Sequence, residues 1–136
     1  MRSLGSRNVR YLLIGGLAVA YHGYSRLTAD MDIWVAADPA NIANLIEALR
    51  EFGFDVPELN QELFADPRTV VRMGEAPWRI EVLMTLSGVS FEECYSSRIV
   101  SELAGIEVNV ISLADLKTNT RAAGRPKDLA DLDYLP

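Results

Sequence analysis

The sequence predicts an α/β or α+β domain, a β-sheet with helices packed on it, with residues 1–136 forming a single unit. Three observations predict it. Short apolar runs of strand length alternate with stretches of helical periodicity. Glycine or proline punctuates most of the junctions. No internal repeat, low-complexity tract or linker interrupts the order. A hydrophobic fraction of 49% and a charged fraction of 24% are ordinary for a globular chain that buries a core.

Arg10 to Ile14 reads as a buried strand ended by Gly15-Gly16, and Leu17 to Tyr24 as a short helix with Gly23 near its end. Asp30 to Val35 is the second strand. Asp38 followed by Pro39 is a helix start, a capping carboxylate before a proline whose missing N–H is not needed there. Ile42, Leu45, Ile46 and Leu49 then fall on one helical face, and Gly53 stops the run. A short helix is expected around Glu62. Thr69 to Met73 and Trp78 to Thr85 are two strands joined across Gly74-Glu75-Ala76-Pro77. A helical turn over Phe91 to Tyr95 precedes a hairpin, Ile99 to Leu103 and Ile106 to Ile111, turning at Ala104-Gly105. Ser112 caps a helix from Leu113 to Ala123 that Gly124 ends, and a last helix follows Arg125-Pro126 to about Tyr134.

Bulk properties exclude several classes. Thirteen Lys and Arg against nineteen Asp and Glu give a net charge of −6, with a pI near 4.7. Coating nucleic acid without regard to sequence needs a basic surface, which this composition does not supply. The single Cys94 rules out an internal disulfide and fits a reducing compartment. No apolar run approaches the ~20 residues that span a bilayer, and Tyr11 to Ile14 is too short for a signal peptide's apolar region. A cytoplasmic location without membrane contact is the expectation.

The chemistry is concentrated in two strands. Side chains alternate along a strand, so Asp30 and Asp32 share one face while Met31, Ile33 and Val35 take the other. The same logic in Arg79 to Met84 puts Ile80, Val82 and Met84 on an apolar face and leaves Glu81 with Arg79 on the opposite one. If the two strands are neighbours, Glu81 is the third carboxylate of one cluster. Two unit charges ~4 Å apart at an effective dielectric of ~20 repel by roughly 4 kcal/mol, so such a cluster takes up protons or holds a cation. An all-oxygen donor set selects Mg²⁺ or Mn²⁺. Gly15-Gly16 at a helix start leaves backbone N–H groups open to phosphate, and it also suits a tight strand-to-helix connection. These parts together suit a metal-bound nucleoside triphosphate. A Walker A loop is absent.

Ile14-Gly15-Gly16, Arg26-Leu27-Thr28-Ala29-Asp30-Met31-Asp32, Arg79-Ile80-Glu81-Val82-Leu83 and the tail from Asp115 to Leu132 carry a resemblance. With them the chain resembles the minimal nucleotidyltransferases of the DNA polymerase β-like superfamily, nearest the bacterial abortive-infection and toxin–antitoxin-type group. The resemblance runs from about Val9 to Leu135. It implies a mixed sheet flanked by helices, with Asp30, Asp32 and Glu81 as metal ligands and catalytic carboxylates, and a Gly15-Gly16 turn that holds the triphosphate. The implied reaction is in-line attack on the α-phosphorus of an NTP, Mg²⁺ or Mn²⁺ stabilising the attacking and leaving oxygens. The acceptor is left open among an RNA 3′ end, a protein hydroxyl and a small molecule, and a partner protein could supply part of its site. An inactive member of the same fold, binding nucleotide or protein as an antitoxin-like regulator, is the alternative.

The chain departs from the family pattern in three places. Glu81 stands where Asp is usual and reaches one methylene further. The usual Asn-Lys-Arg of the tail is Asn119-Thr120-Arg121, with Lys117 about one turn earlier. Only Met1 to Asn8 precedes the first strand, where relatives usually have a helix, which would expose apolar surface.

Other residues carry paired readings. Arg26 reaches a phosphate or pairs with Asp30. Lys127 and Asp128 contact nucleotide or acceptor, or they belong to a charged helix start that complements the dipole. Trp34 and Trp78 stack on a base or pack in the core, with the core the expected place. His22 is expected to be structural, and Cys94 incidental.

Overall fold

The computed structural model describes residues 2–23, 30–74, 79–103 and 105–136, and within them all side chains but those of Arg2, Ser3, Asp30, Leu103, Lys127, Asp128, Asp131 and Tyr134. Its strands are β1 (Tyr11–Ile14), β2 (Asp30–Val35), β3 (Val71–Met73), β4 (Arg79–Leu83), β5 (Ile99–Leu103) and β6 (Ile106–Val110). Its helices are α1 (Arg2–Ser6), α2 (Gly15–Tyr21), α3 (Pro39–Phe52), α4 (Phe91–Ser96), α5 (Leu113–Ala123) and α6 (Pro126–Tyr134), with a 3-10 turn over Gln61–Phe64. The sheet order is β3-β4-β2-β1-β6-β5. Strand β2 runs antiparallel to β1 and parallel to β4, β6 runs parallel to β1, and β3 and β5 close the two edges antiparallel to their neighbours. The predicted sheet with helices packed on it is therefore the one that forms, and it is mixed. Among the described residues no helix is long and apolar enough to cross a membrane.

The central strands are buried on both faces, which is why they read as continuous apolar runs: Leu12, Ile33, Val35, Val82 and Val110 are all at or near zero exposure. One face carries Met31, Ile33 and Ile80 against Leu4 of α1 and Ala48, Leu49 and Phe52 of α3. On the other, Trp34 meets Phe91 of α4 edge to face, ring centroids 5.2 Å apart.

The predicted caps form. Asp38 accepts from the Asn41 backbone N–H at 3.0 Å, Ser112 from that of Asp115 at 3.2 Å, and Gly124 ends α5 in the left-handed conformation. Asn41 itself is buried and ties the start of β1 to the end of β2: its Oδ1 accepts from Arg10 N, and its Nδ2 donates to the carbonyls of Arg10 and Ala36. The amino-terminal segment departs from expectation. Residues Arg2–Ser6 make a short helix after all, packed on α3, and Leu4 is buried among apolar neighbours.

Candidate functional site

Strand register settles which carboxylates meet. Asp32 lies opposite Glu81 on the parallel neighbour β4, and Asp30 lies opposite Arg79. Residues in register on adjacent strands, roughly 4.8 Å apart, project to the same face. Glu81 is thus on the Asp32 face, and Ile80 and Val82 face the core on the other. The Asp30 backbone occupies its predicted strand position, two residues before Asp32. Among the described residues no three His, Cys, Asp or Glu side chains gather at metal-binding spacing. Asp32 and Glu81 are register partners on one face, and the Asp30 side chain lies outside the described ones.

Gly15 lies directly against Asp32. Ile14 is the residue opposite Asp32 on β1, so the chain turns from β1 into α2 directly beside the carboxylate. Gly15 has φ +66, the left-handed region that favours glycine. A Cβ placed on it would sit 2.3 Å from Asp32 Oδ2. The Gly15 backbone therefore lies closer to the carboxylate than any side-chain-bearing residue allows, and Asp32 itself fills the space a Cβ would take; the oxygen donors of Asp32 and Glu81 suit a hard divalent cation. Gly16 is buried in the first turn of α2. Asp32 Oδ1 is withdrawn from solvent, a position suited to a ligand that must exclude bulk water.

Glu81 is ion-paired with Arg72, the residue opposite it on the edge strand β3. The two differ sharply in exposure, with side chains 17% accessible for Glu81 and 68% for Arg72. The anion is fixed in the sheet, while the cation reaches in from its rim. Arg72 was not among the residues singled out from sequence. Its only signal there is the strand pattern before Gly74, and the pairing register that aims it at Glu81 is a tertiary property.

The remaining candidates lie elsewhere or outside the described parts. Arg26 and Trp78 fall outside the described residues. Lys127 and Asp128 begin α6, which packs on α5; their side chains are not described. Trp34 is 1% exposed and belongs to the core. His22 is half-buried, and its Nε2 lies 2.7 Å from the Ile111 carbonyl, a structural tie between the end of α2 and the end of β6. Burial, assisted by Asp115, pushes the Cys94 thiol up to about 12, which removes it as a nucleophile.

In the tail, Thr120 is 5% exposed, and its hydroxyl donates to Leu116 O at 2.7 Å. A lysine there would have to thread its aliphatic stem past buried neighbours to keep its ammonium in water, and it would lose the hydroxyl's bond to Leu116. Lys117 donates to the Pro136 carbonyl. Asn119 donates to the Ser87 carbonyl at 3.1 Å, and Gly88 lies against Ala122, so α5 is clamped on the loop that follows β4.

No family model and no curated protein matches the chain's sequence. Among solved structures it is similar to an antigenic nucleotidyltransferase-like protein from Paracoccidioides brasiliensis. The identity is 16% and the TM-score 0.57, over 96% of this chain and 69% of the other. At that identity the likeness is one of fold, and the fold is nucleotidyltransferase-like.

Proposed function

We propose that this nucleotidyltransferase-like fold carries out Mg²⁺-dependent transfer of a nucleoside monophosphate from an NTP to a hydroxyl or phosphate acceptor. The observation that carries the reading is the register of Asp32 with Glu81, beside a glycine whose missing Cβ lets the Asp32 carboxylate lie against the β1–α2 turn. Asp30, Asp32 and Glu81 would hold the divalent ions. When bound, Mg²⁺ or Mn²⁺ would neutralise the phosphates and the developing charge on the attacking and leaving oxygens. The chain's own residues position the reactants. Gly15 and Gly16 would bring backbone close to the triphosphate, Asp32 would hold beside β2 the cation that the triphosphate needs, and Glu81 would accept the acceptor's proton. Arg26, Lys127 and Asp128 are assigned to nucleotide contact on the sequence resemblance alone.

The same resemblance supports a role in a bacterial toxin–antitoxin or phage-defence system, and the single cysteine supports a cytoplasmic setting. RNA 3′ ends, protein hydroxyls and small molecules are the acceptor classes to screen, with or without a partner protein. The test is incubation with Mg²⁺ and α-labelled NTPs, scoring pyrophosphate release and labelled acceptor against Asp32→Asn. Release by wild type and its loss in the variant support the reading.

A second reading, a catalytically inactive nucleotide- or protein-binding regulator, is favoured by Thr120, which is buried where the family pattern has a lysine. Nucleotide binding without pyrophosphate release in the presence of candidate acceptors selects it.

A further inference from the structure

We infer that Arg72 is a phosphate-contacting residue that alternates between two partners: Glu81 when the site lacks a cation, and the triphosphate when metal and nucleotide arrive. The inference rests on the metal reading of Asp32 and Glu81 and adds a residue to it.

Arg72 stands opposite Glu81 in the antiparallel β3–β4 pairing, and Glu81 stands opposite Asp32 in the parallel β4–β2 pairing. Three adjacent strands thus bring one guanidinium and two carboxylates to a single row on one face. In neighbouring strands at ~5 Å the carboxylates repel, and a cation beside them relieves that repulsion. Arg72 is placed to do so through its contact with Glu81. Its side chain is 68% exposed against 17% for Glu81. An ion pair with one end so far in solvent is weak and easily exchanged. A divalent ion on Glu81 would compete directly with the guanidinium for the same oxygens.

A displaced Arg72 would still stand opposite Glu81 on the edge strand, on the rim of the face where metal-bound phosphate oxygens would sit. A planar guanidinium binds phosphate through paired N–H donors, and it keeps its charge whatever the pH. Arg72 would therefore hold the site closed to stray cations, then serve as the triphosphate's clamp. No bond is made or broken in the exchange.

The test is Mn²⁺ titration followed by electron paramagnetic resonance, alone and with a non-hydrolysable NTP analogue, on wild type, Arg72→Ala and Arg72→Lys. Arg72→Ala is expected to bind Mn²⁺ alone about two- to fivefold more tightly, the size of a lost exposed ion pair. It is expected to bind the Mn²⁺-analogue complex about tenfold or more weakly, with partial rescue in Arg72→Lys. Wild-type binding of both, with Arg72→Ala unchanged or weakened for the metal alone, overturns this inference and leaves the metal site standing. A wild type that binds no Mn²⁺ overturns the metal reading and this inference together.

Discussion

Gly15→Ala probes the close approach between the β1–α2 turn and Asp32. Two separable penalties apply. The first is conformational: at φ +66 an alanine costs about 1–2 kcal/mol. The second is steric. The new methyl would lie 2.3 Å from Asp32 Oδ2, 3.0 Å from its Cγ and 3.1 Å from its Cβ. Rotating the carboxylate moves Oδ2 and Cγ but leaves Cβ where it is, so the backbone of β2 or the turn must also shift. Overpacking of this kind costs roughly a further 1–3 kcal/mol.

Gly124→Ala is the control. Gly124 has nearly the same φ, +65, but its nearest atom to an added Cβ is Arg121 O at 3.8 Å, so it bears only the conformational penalty. Urea unfolding of both variants and wild type measures the difference. Gly15→Ala should be less stable than Gly124→Ala by about 1–3 kcal/mol. It should also weaken Mn²⁺ binding, whereas Gly124→Ala should not. Equal destabilisation with unchanged metal affinity would refute the reasoning that Gly15 is glycine because Asp32 occupies the space.

Trp34→Ala should cost about 3–5 kcal/mol or prevent folding, because the indole is buried against Phe91; a folded variant that merely loses nucleotide affinity in circular dichroism and binding assays would assign Trp34 to base stacking instead. Thr120→Lys should destabilise by at least about 1–3 kcal/mol in thermal melts and gain no transfer activity, since the position faces the interior; a stable variant with higher activity would contradict this. Asp38→Ala should cost about 1 kcal/mol through loss of the α3 cap. The Asn41 backbone N–H first, and Arg10 second, hold the Asp38 carboxyl below the usual carboxylate range. Its contribution is therefore full above the unfolded-state pKa of about 4 and lost as pH falls through the folded value. Stability measured from pH 7 down to 3 should fall less steeply in Asp38→Ala than in wild type, and parallel curves would exclude the assignment.

Local chemistry was the legible part of the chain. Asp38-Pro39 and Ser112 with Gly124 mark α3 and α5 because caps and left-handed glycines act within a turn of where they sit. Strand β2 ends where alternation says it should. The first strand begins one residue late, at Tyr11, because the Arg10 backbone N–H is taken by buried Asn41 from thirty-one positions away. Helix α1 is five residues long and carries no periodic face; what holds it is the burial of Leu4 against α3, a tertiary effect.

The candidate site was legible up to a condition. Alternation gives the face of Asp32 and of Glu81 within each strand, but only the sheet order makes them neighbours. That order depends on a parallel crossover through α3, whose packing no local signal encodes. Arg72 was missed for the same reason: nothing in Val71–Met73 indicates that register aims it at Glu81.

The central claim is that Asp32 and Glu81 jointly hold a divalent cation. Its most direct test is isothermal titration of Mn²⁺ into folded wild type, Asp32→Asn and Glu81→Gln. The account predicts saturable binding in wild type that weakens by more than about 100-fold in either variant, with both variants still folded. Saturable binding of equal strength in all three proteins, or none in wild type, would contradict it.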